Sequence, residues 1–178
     1  MNTPAESTAP GGPPPVSLRP EQPEDEGFLY EVYAGTRAEE LALTNWDEPG
    51  RRAFLTQQFA AMRAGYRGMF PDGEFLIISL AGRPAGRLVL HRPAGEIRVV
   101  DLALLPGDRN RGIGTRLMQR VCAEAAAAGK PVRLSVLKHN RAGRWYARLG
   151  FTRVGEQGIY DEWEWRPPGG VTGVSPTG

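Results

Sequence analysis

The sequence predicts an α/β (α+β) protein with a mixed, mostly antiparallel central sheet flanked by helices. Strand-like runs over 74–80, 86–91 and 96–105 follow one another through short Gly- and Pro-containing connections, which is typical of antiparallel hairpins. Runs with apolar residues spaced three to four apart, typical of amphipathic helices, stand before and after these strands. A length of 178 residues with 40% hydrophobic residues fits a single soluble domain.

The first part of the chain predicts one strand followed by two helices. Residues 16–19 alternate apolar and polar side chains before a proline, as a short strand does. Helical spacing of apolar side chains predicts helices over 24–43 and 48–66. Gly68 and Pro71 are expected to end the second helix.

The remaining elements follow from the same two periodicities. The run 99–105 is almost continuously hydrophobic, which predicts a central strand covered on both faces. After it we expect a helix over 112–128, a strand over 132–137, a helix over 142–149 and a hairpin over 151–165 that turns near 157–158. The predicted order is therefore β-α-α-β-β-β-α-β-α-β-β.

The two ends of the chain differ in composition from the predicted domain. Residues 1–15 are rich in Pro, Gly and small side chains, and 167–178 have a similar composition. Such segments bury too little apolar surface to offset the entropy of ordering. We expect disordered tails at 1–15 and 167–178 and one domain over 16–166.

Charge and cysteine content exclude several classes of function. The net charge of +2 does not indicate a nucleic-acid partner. No apolar run approaches the roughly 20 residues that span a bilayer, and no secretory signal pattern is present, so we expect a cytoplasmic protein without membrane contact. Cys122 is the single cysteine, and His91 and His139 are far apart, so no metal site is predicted. Cys122 is expected to be a buried hydrophobe.

The feature that points to chemistry is a loop between the central strand and the next helix. Pro106, Gly107 and Asp108 lead into the sequence RNRGIG at 109–114. The first turn of a helix has unsatisfied N–H donors and a partial positive charge, and glycines let an anionic phosphate approach them. Two arginines in the same loop can add charge-assisted hydrogen bonds.

Two other phosphate-binding motifs do not fit this loop. A Walker loop requires Gly-Lys followed by Ser or Thr, whereas Gly112 precedes Ile113 and Gly114 precedes Thr115. A dinucleotide fingerprint that began at Gly112 would place its third glycine where Leu117 stands. Kinase and hydride-transfer functions are therefore not indicated.

The pattern instead resembles the acetyl-CoA loop of the GNAT superfamily of N-acetyltransferases. RNRGIG, preceded by LALLP, matches the family's Gln/Arg-x-x-Gly-x-Gly/Ala signature, and HNRAGRWYARLGF at 139–151 resembles its second cofactor segment. The two segments have the family's order and separation, and together they cover 99–151. The resemblance implies transfer of an acetyl group from acetyl-CoA to a primary amine.

The resemblance also implies which residues bind the acetyl-CoA donor. The strand at 102–104 would splay from the strand at 132–137 to admit the pantetheine arm, with main-chain groups of Leu102 and Leu104 holding the thioester carbonyl and the pantetheine. Asn140 would reach the coenzyme, with His139 as the alternative and a helix N-cap as its structural role. The full set implied to bind the donor is Leu102, Ala103, Leu104, Arg109, Asn110, Arg111, Gly112, Ile113, Gly114, Thr115 and Asn140.

Tyr146 matches the GNAT tyrosine that protonates the departing thiolate, and a packed core aromatic is the alternative interpretation. The general base is left open. Some relatives have a glutamate where Ser135 stands, and Asp101 is a carboxylate inside an apolar strand that could act as a base or as a paired structural acid. Glu96 with a water chain is a further alternative, and GNAT enzymes can also work without a dedicated base.

The acceptor cannot be named from the sequence: amino acids, polyamines, antibiotics, peptide N-termini and protein lysines all remain open. Trp46, Phe59 and the stretch 66–70 lie where this fold closes over its acceptor, although core packing is the preferred interpretation. A non-catalytic acyl-CoA-binding or partner-binding module is the alternative function. The resemblance is also compatible with a homodimer through the C-terminal strands.

Overall fold

The computed structural model describes residues 14–138 and 140–169. The elements are β1 (Val16–Pro20), α1 (Glu26–Ala42), α2 (Glu48–Met69), β2 (Glu74–Leu80), β3 (Arg83–His91), β4 (Ile97–Leu104), α3 (Ile113–Ala127), β5 (Val132–Leu137), α4 (Ala142–Arg148), β6 (Thr152–Gln157) and β7 (Tyr160–Trp165). Short 3-10 helices lie at Pro23–Asp25 and Pro106–Asp108. The predicted order of strands and α-helices is confirmed.

The strands follow the order β1-β2-β3-β4-β5-β7-β6 in a seven-stranded sheet. β1 pairs with β2, β5 with β7 and β6 with β7 in antiparallel fashion, whereas β4 and β5 are parallel. The parallel ladder runs from Ile97↔Val132 to Val99↔Leu134. The predicted mixed, mostly antiparallel sheet flanked by helices is therefore confirmed.

The two largest differences from the predicted element boundaries are at the end of α2 and the start of β3. α2 continues through Gly68 to Met69, because the Phe70 N–H still donates to the Tyr66 carbonyl at 2.8 Å. A glycine in the last turn costs about 1 kcal/mol of helix propensity. The bond from Phe70 to Tyr66 and the apolar face of the helix offset this cost. Pro71 then ends the helix. β3 begins at Arg83 rather than at residue 86 and includes Pro84.

The described chain divides into two compact units. The first consists of the described part of Met1–Val89 with Asp101–Ile113. In its core the apolar faces of α1 and α2 pack against β2. The centre of the Phe59 ring lies 5.7 Å from the ring centre of Tyr30 and 5.8 Å from that of Tyr33. The buried members of this core are Leu29, Tyr33, Leu41, Leu55, Phe59 and Ile77.

The second unit consists of Leu90–Val100 with the described part of Gly114–Gly178. Ile97 and Val99 of β4 are buried opposite Val132 and Leu134 of β5. α3 contributes its own buried stripe, Leu117, Met118, Val121 and Ala125, which is the helical spacing seen in the sequence.

Most of the two predicted tails lies outside the described residues, so their disorder and the domain limits of 16 and 166 stay predictions. Pro15 is described, and its carbonyl accepts the Ala81 N–H at 3.0 Å. Among the residues that the structure describes, no helix is both long and apolar enough to cross a membrane.

Candidate active site

The loop between β4 and α3 turns through two residues with left-handed backbone. After the 3-10 helix at Pro106–Asp108, Asn110 has a φ of 59° and Gly112 a φ of 74°. Asparagine and glycine are the residues that adopt this region at least cost. The turn delivers the chain into the first turn of α3 at Ile113, where backbone N–H groups have no partner within the helix.

A buried carboxylate, Asp108, anchors this loop. Arg83 donates to both of its oxygens, at 2.7 Å to Oδ1 and 3.0 Å to Oδ2, and Arg111 donates to Oδ1 at 3.1 Å. The Arg83 hydrogen bonds, helped by the charge of Arg111, hold the pKa of Asp108 below its usual value. No sequence signal near Asp108 indicates this role, because its partner Arg83 lies 25 residues away.

Arg109 is used differently from the sequence-based expectation of a phosphate ligand. Its guanidinium donates to the Leu104 carbonyl at 3.1 Å and to the Gly35 carbonyl of α1 at 2.9 Å. A Cβ on Gly35 would lie 2.9 Å from Pro106 Cδ, so only glycine permits this close approach of α1 to the loop. Arg109 therefore ties the loop to α1 and β4, and phosphate contact through its other donors stays a prediction.

A charged hydrogen bond from β3 holds the β4 segment 101–104. Asp101 accepts a hydrogen bond from Nε of Arg87, and the two side chains are 17% and 8% exposed. A carboxylate paired in this way favours the structural-acid alternative for Asp101 over the free base. The main-chain roles implied for Leu102, Ala103 and Leu104 stay predictions.

In the second unit, Tyr146 is packed between two aromatic rings. The tyrosine is 9% exposed, and the centre of its ring lies 4.6 Å from the ring centre of Trp145 and 5.5 Å from that of Phe151. The Phe151 N–H donates to the Tyr146 carbonyl at 3.1 Å, which closes the end of α4. This packing fixes the ring, and the proton-donor role stays a prediction.

Trp145 connects α4 to the start of α3. Its Nε1 donates to the Thr115 hydroxyl at 3.2 Å. Because that bond occupies an acceptor lone pair of the hydroxyl, the Thr115 O–H remains a donor for an anionic group. No local sequence signal indicates this bond, because Thr115 and Trp145 are 30 residues apart.

Asn140 lies one residue before the N-cap of α4, which is Arg141 rather than Asn140 as weighed from the sequence. The Asn140 side-chain oxygen accepts the Ala142 N–H at 2.9 Å, which is the local turn contact typical of asparagine. Contact with the coenzyme stays a prediction, and the alternative His139 lies outside the described residues.

A carboxylate lies beside the position where some relatives have a glutamate. Ser135 of β5 pairs in register with Glu162 of β7, and the serine hydroxyl donates to Glu162 Oε1 at 2.6 Å. Glu162 also lies 3.7 Å from Arg98 Nη1, and Glu96 is held by Arg98 at 2.9 Å and by Arg133 at 3.0 Å. No local sequence signal indicates Glu162, because its pairing depends on β7 being the neighbour of β5.

The single cysteine is a poor nucleophile. Cys122 is buried on α3, and burial raises the pKa of its thiol to about 11, so the thiol stays protonated at neutral pH. Within residues 14–138 and 140–169, no group of three or more His, Cys, Asp or Glu side chains could hold a metal ion.

Comparison with known proteins supports the GNAT resemblance. A family model described as an acetyltransferase (GNAT) domain matches residues 71–153. This segment, which is less than half of the chain, is similar to a GNAT domain. An uncharacterized N-acetyltransferase of Schizosaccharomyces pombe is 35% identical over 63 residues, which are 34% of this chain and 43% of that protein. The chain thus matches less than half the length of this curated relative.

Solved GNAT-like structures show the same fold. PaiA N-acetyltransferase of Thermoplasma acidophilum, solved in complex with coenzyme A, superposes with a TM-score of 0.64 at 19% identity, covering 85% of this chain and 99% of that one. An acetyltransferase of Thermus thermophilus has a TM-score of 0.60 at 20% identity, with 85% and 96% covered. The GNAT resemblance and fold expected from the sequence are confirmed.

The GNAT match spans every residue that the sequence assigned to the site, but it does not test their roles. The first unit contains Asp101 to Leu104 and Arg109 to Ile113, whereas the second contains Gly114, Thr115, Asn140 and Tyr146. Glu162 lies beyond the matched segment.

Proposed function

We propose that the chain transfers an acetyl group from acetyl-CoA directly to the primary amine of an acceptor. The observation that carries the proposal is the loop at 109–114, in which two left-handed residues lead into the N-terminus of α3. The N–H groups in the first turn of a helix have no acceptor within the helix, and the pyrophosphate of coenzyme A would accept from them. The GNAT match and the coenzyme-bound relative support the same donor.

In the proposed reaction the amine nitrogen attacks the thioester carbonyl carbon, and the carbon–sulfur bond breaks. The Leu102 N–H would stabilise the negative charge that develops on the carbonyl oxygen. Tyr146 would give its proton to the departing thiolate, because a bare thiolate is costly in a poorly solvated site. The proton lost by the amine passes to water or to a carboxylate, for which Glu162 and Asp101 are the candidates.

Direct transfer is favoured over an acyl-enzyme intermediate by the state of the only cysteine. A nucleophilic cysteine needs a thiolate, whereas burial raises the pKa of Cys122 to about 11. Replacement of Cys122 by alanine is therefore expected to leave the mechanism unchanged.

Isothermal titration calorimetry with acetyl-CoA tests the loop. Gly112→Val should weaken binding by tenfold or more, about 1.4 kcal/mol, because its side chain would occupy the path of the phosphate. Gly129→Val is the matched control: Gly129 has a φ of 65°, and, as at Gly112, no atom lies within 4 Å of an added Cβ. Both variants carry the same backbone strain, so equal affinities in folded Gly112→Val and Gly129→Val proteins would refute the loop assignment.

A coenzyme-release assay against a panel of amines tests catalysis. An acetyltransferase should release free coenzyme A faster with at least one amine than with buffer alone. Tight acetyl-CoA binding without amine-dependent release from any class of amine would instead identify the non-catalytic acyl-CoA-binding module.

A further inference from the structure

The first unit contains a pocket between α1, α2, β2 and β3 that is separate from the acetyl-CoA loop. Its cavity volume is about 20 Å³, and the space between its lining residues is about 300 Å³ when the part open to solvent is included. Apolar side chains such as Leu29, Phe59 and Phe75 form much of its wall. Three arginines, Arg63, Arg67 and Arg87, also line it, and we name it the arginine pocket.

The charges around the arginine pocket do not balance. Glu21 accepts from Arg63 at 2.6 Å and from Arg67 at 2.8 Å through the same oxygen, Oε1. Asp101 is paired with Arg87. Three guanidinium groups therefore share two carboxylates, which leaves one positive charge without a counter-ion in this cluster.

Two buried donors in the same cluster lack an acceptor among the residues that the structure describes. They are Nη1 of Arg87 and Nη1 of Arg63. Arg87 is 6% exposed, and its guanidinium stands 5.9 Å from the centre of the Tyr33 ring, so it cannot turn into solvent. Buried donors of native proteins normally have a partner in the protein, in an ordered water or in a ligand, so these two donors can donate to a ligand oxygen in place of water.

We propose that the arginine pocket binds the carboxylate of the acetyl acceptor. A carboxylate would supply the missing negative charge and accept from a guanidinium in its preferred planar geometry. The apolar wall favours an acceptor with an aromatic or aliphatic part beside that carboxylate. Arg63 and Arg67, at 25% and 52% exposure, can shift at the mouth to admit it.

The position of Arg87 connects this pocket to the proposed chemistry. Arg87 holds Asp101, and Asp101 directly precedes Leu102, the residue proposed to polarise the thioester. Arg87 thus contacts the β4 segment that is proposed to hold the thioester, and the amine of an acceptor bound to Arg87 would have to reach that segment. The acceptor class is an amine-bearing carboxylic acid with an apolar portion, and this assignment rests on the proposed transferase function.

Binding of 3-phenylpropionate, a carboxylate without an amine, tests the pocket independently of activity. Calorimetry should detect it, whereas 3-phenylpropionamide should bind at least tenfold more weakly because it lacks the charge. Arg63→Gln should weaken 3-phenylpropionate binding at least tenfold, Arg63→Lys less, and Arg52→Gln, an exposed arginine on the same helix, should have no effect. Equal binding of acid and amide, no binding of either, or an unaffected Arg63→Gln protein would overturn the proposal.

Steady-state kinetics separates failure of this inference from failure of the transferase function. Phenylalanine should have at least tenfold higher kcat/KM as acceptor than phenylalaninamide, and Arg63→Gln should remove that preference mainly through KM. Transfer to amines without a preference for carboxylates would overturn the acceptor class but leave the transferase intact. Binding of 3-phenylpropionate without any acetyl-CoA binding would refute the transferase and, with it, the identity of the ligand as an acceptor.

Discussion

At the residue scale, Tyr146 shows how one side chain can satisfy packing and chemistry together. Its ring is held by Trp145 and Phe151, so replacement by phenylalanine preserves shape and apolar contact. Only the hydroxyl then differs between the two proteins. The phenol group can therefore be tested without disturbing the core.

Tyr146→Phe should lower turnover roughly 100- to 10,000-fold, the usual range for general acid catalysis, while acetyl-CoA affinity stays nearly unchanged. Tyr160→Phe serves as the control, because Tyr160 is 42% exposed at the start of β7. Coenzyme release with a working amine and calorimetry with acetyl-CoA give the two readouts. Wild-type turnover of Tyr146→Phe would mean that the tyrosine is a core aromatic alone.

At the scale of elements, the loop proposed to bind acetyl-CoA depends on charged contacts made by its own side chains. Asp108 is held by Arg83 from β3, and Arg109 reaches the backbone of α1 and β4. These contacts fix the loop from both sides before α3 begins. A loop that is ordered in advance loses less entropy on binding a phosphate.

The depressed pKa of Asp108 makes the anchoring sensitive to acid. Because the pKa is lower in the folded than in the unfolded state, the ionised carboxylate stabilises the fold fully above the unfolded value near 3.8, and this contribution is lost as the pH falls through the folded pKa. Asp108→Asn should lower the free energy of unfolding at pH 7 by about 1–3 kcal/mol.

Urea unfolding at several pH values between 2 and 7 checks this prediction. The free energy of unfolding of Asp108→Asn should depend less steeply on pH below about 4 than that of the wild type. Asp72→Asn, at an exposed turn before β2, should match the wild type. Parallel acid dependence in all three proteins would show that Asp108 does not contribute through its charge.

At the scale of the whole molecule, the two predicted tails have no pattern of apolar residues that could pack against the domain. Removal of the residues before Pro15 and after Pro168 should change the melting temperature by less than about 2 °C, the shift that roughly 1 kcal/mol produces at this size. Calorimetric melting of full-length and truncated chains measures it. A drop of many degrees would show that a tail packs on the domain or builds an interface, and size-exclusion chromatography of the same samples would show whether the predicted homodimer is present.

The sequence alone determined the order of the elements and the position of a glycine-containing loop before α3. Both depend on neighbours in the chain: apolar periodicity separates helices from strands, and glycines before a helix create a phosphate site. These local rules predicted β2 and β5 to the residue. They also predicted a glycine-containing loop at 109–114, whose binding of acetyl-CoA stays a prediction.

Only the tertiary structure decided which charged side chains meet. Asp101 pairs with Arg87 across 14 residues, and Ser135 meets Glu162 across 27. The arginine pocket joins side chains from helix and strand, with Arg63 reaching Glu21 across 42 residues. Such pairings depend on strand order and register, which apolar periodicity does not specify, because long-range contacts are set by how the elements pack rather than by the sequence around each residue.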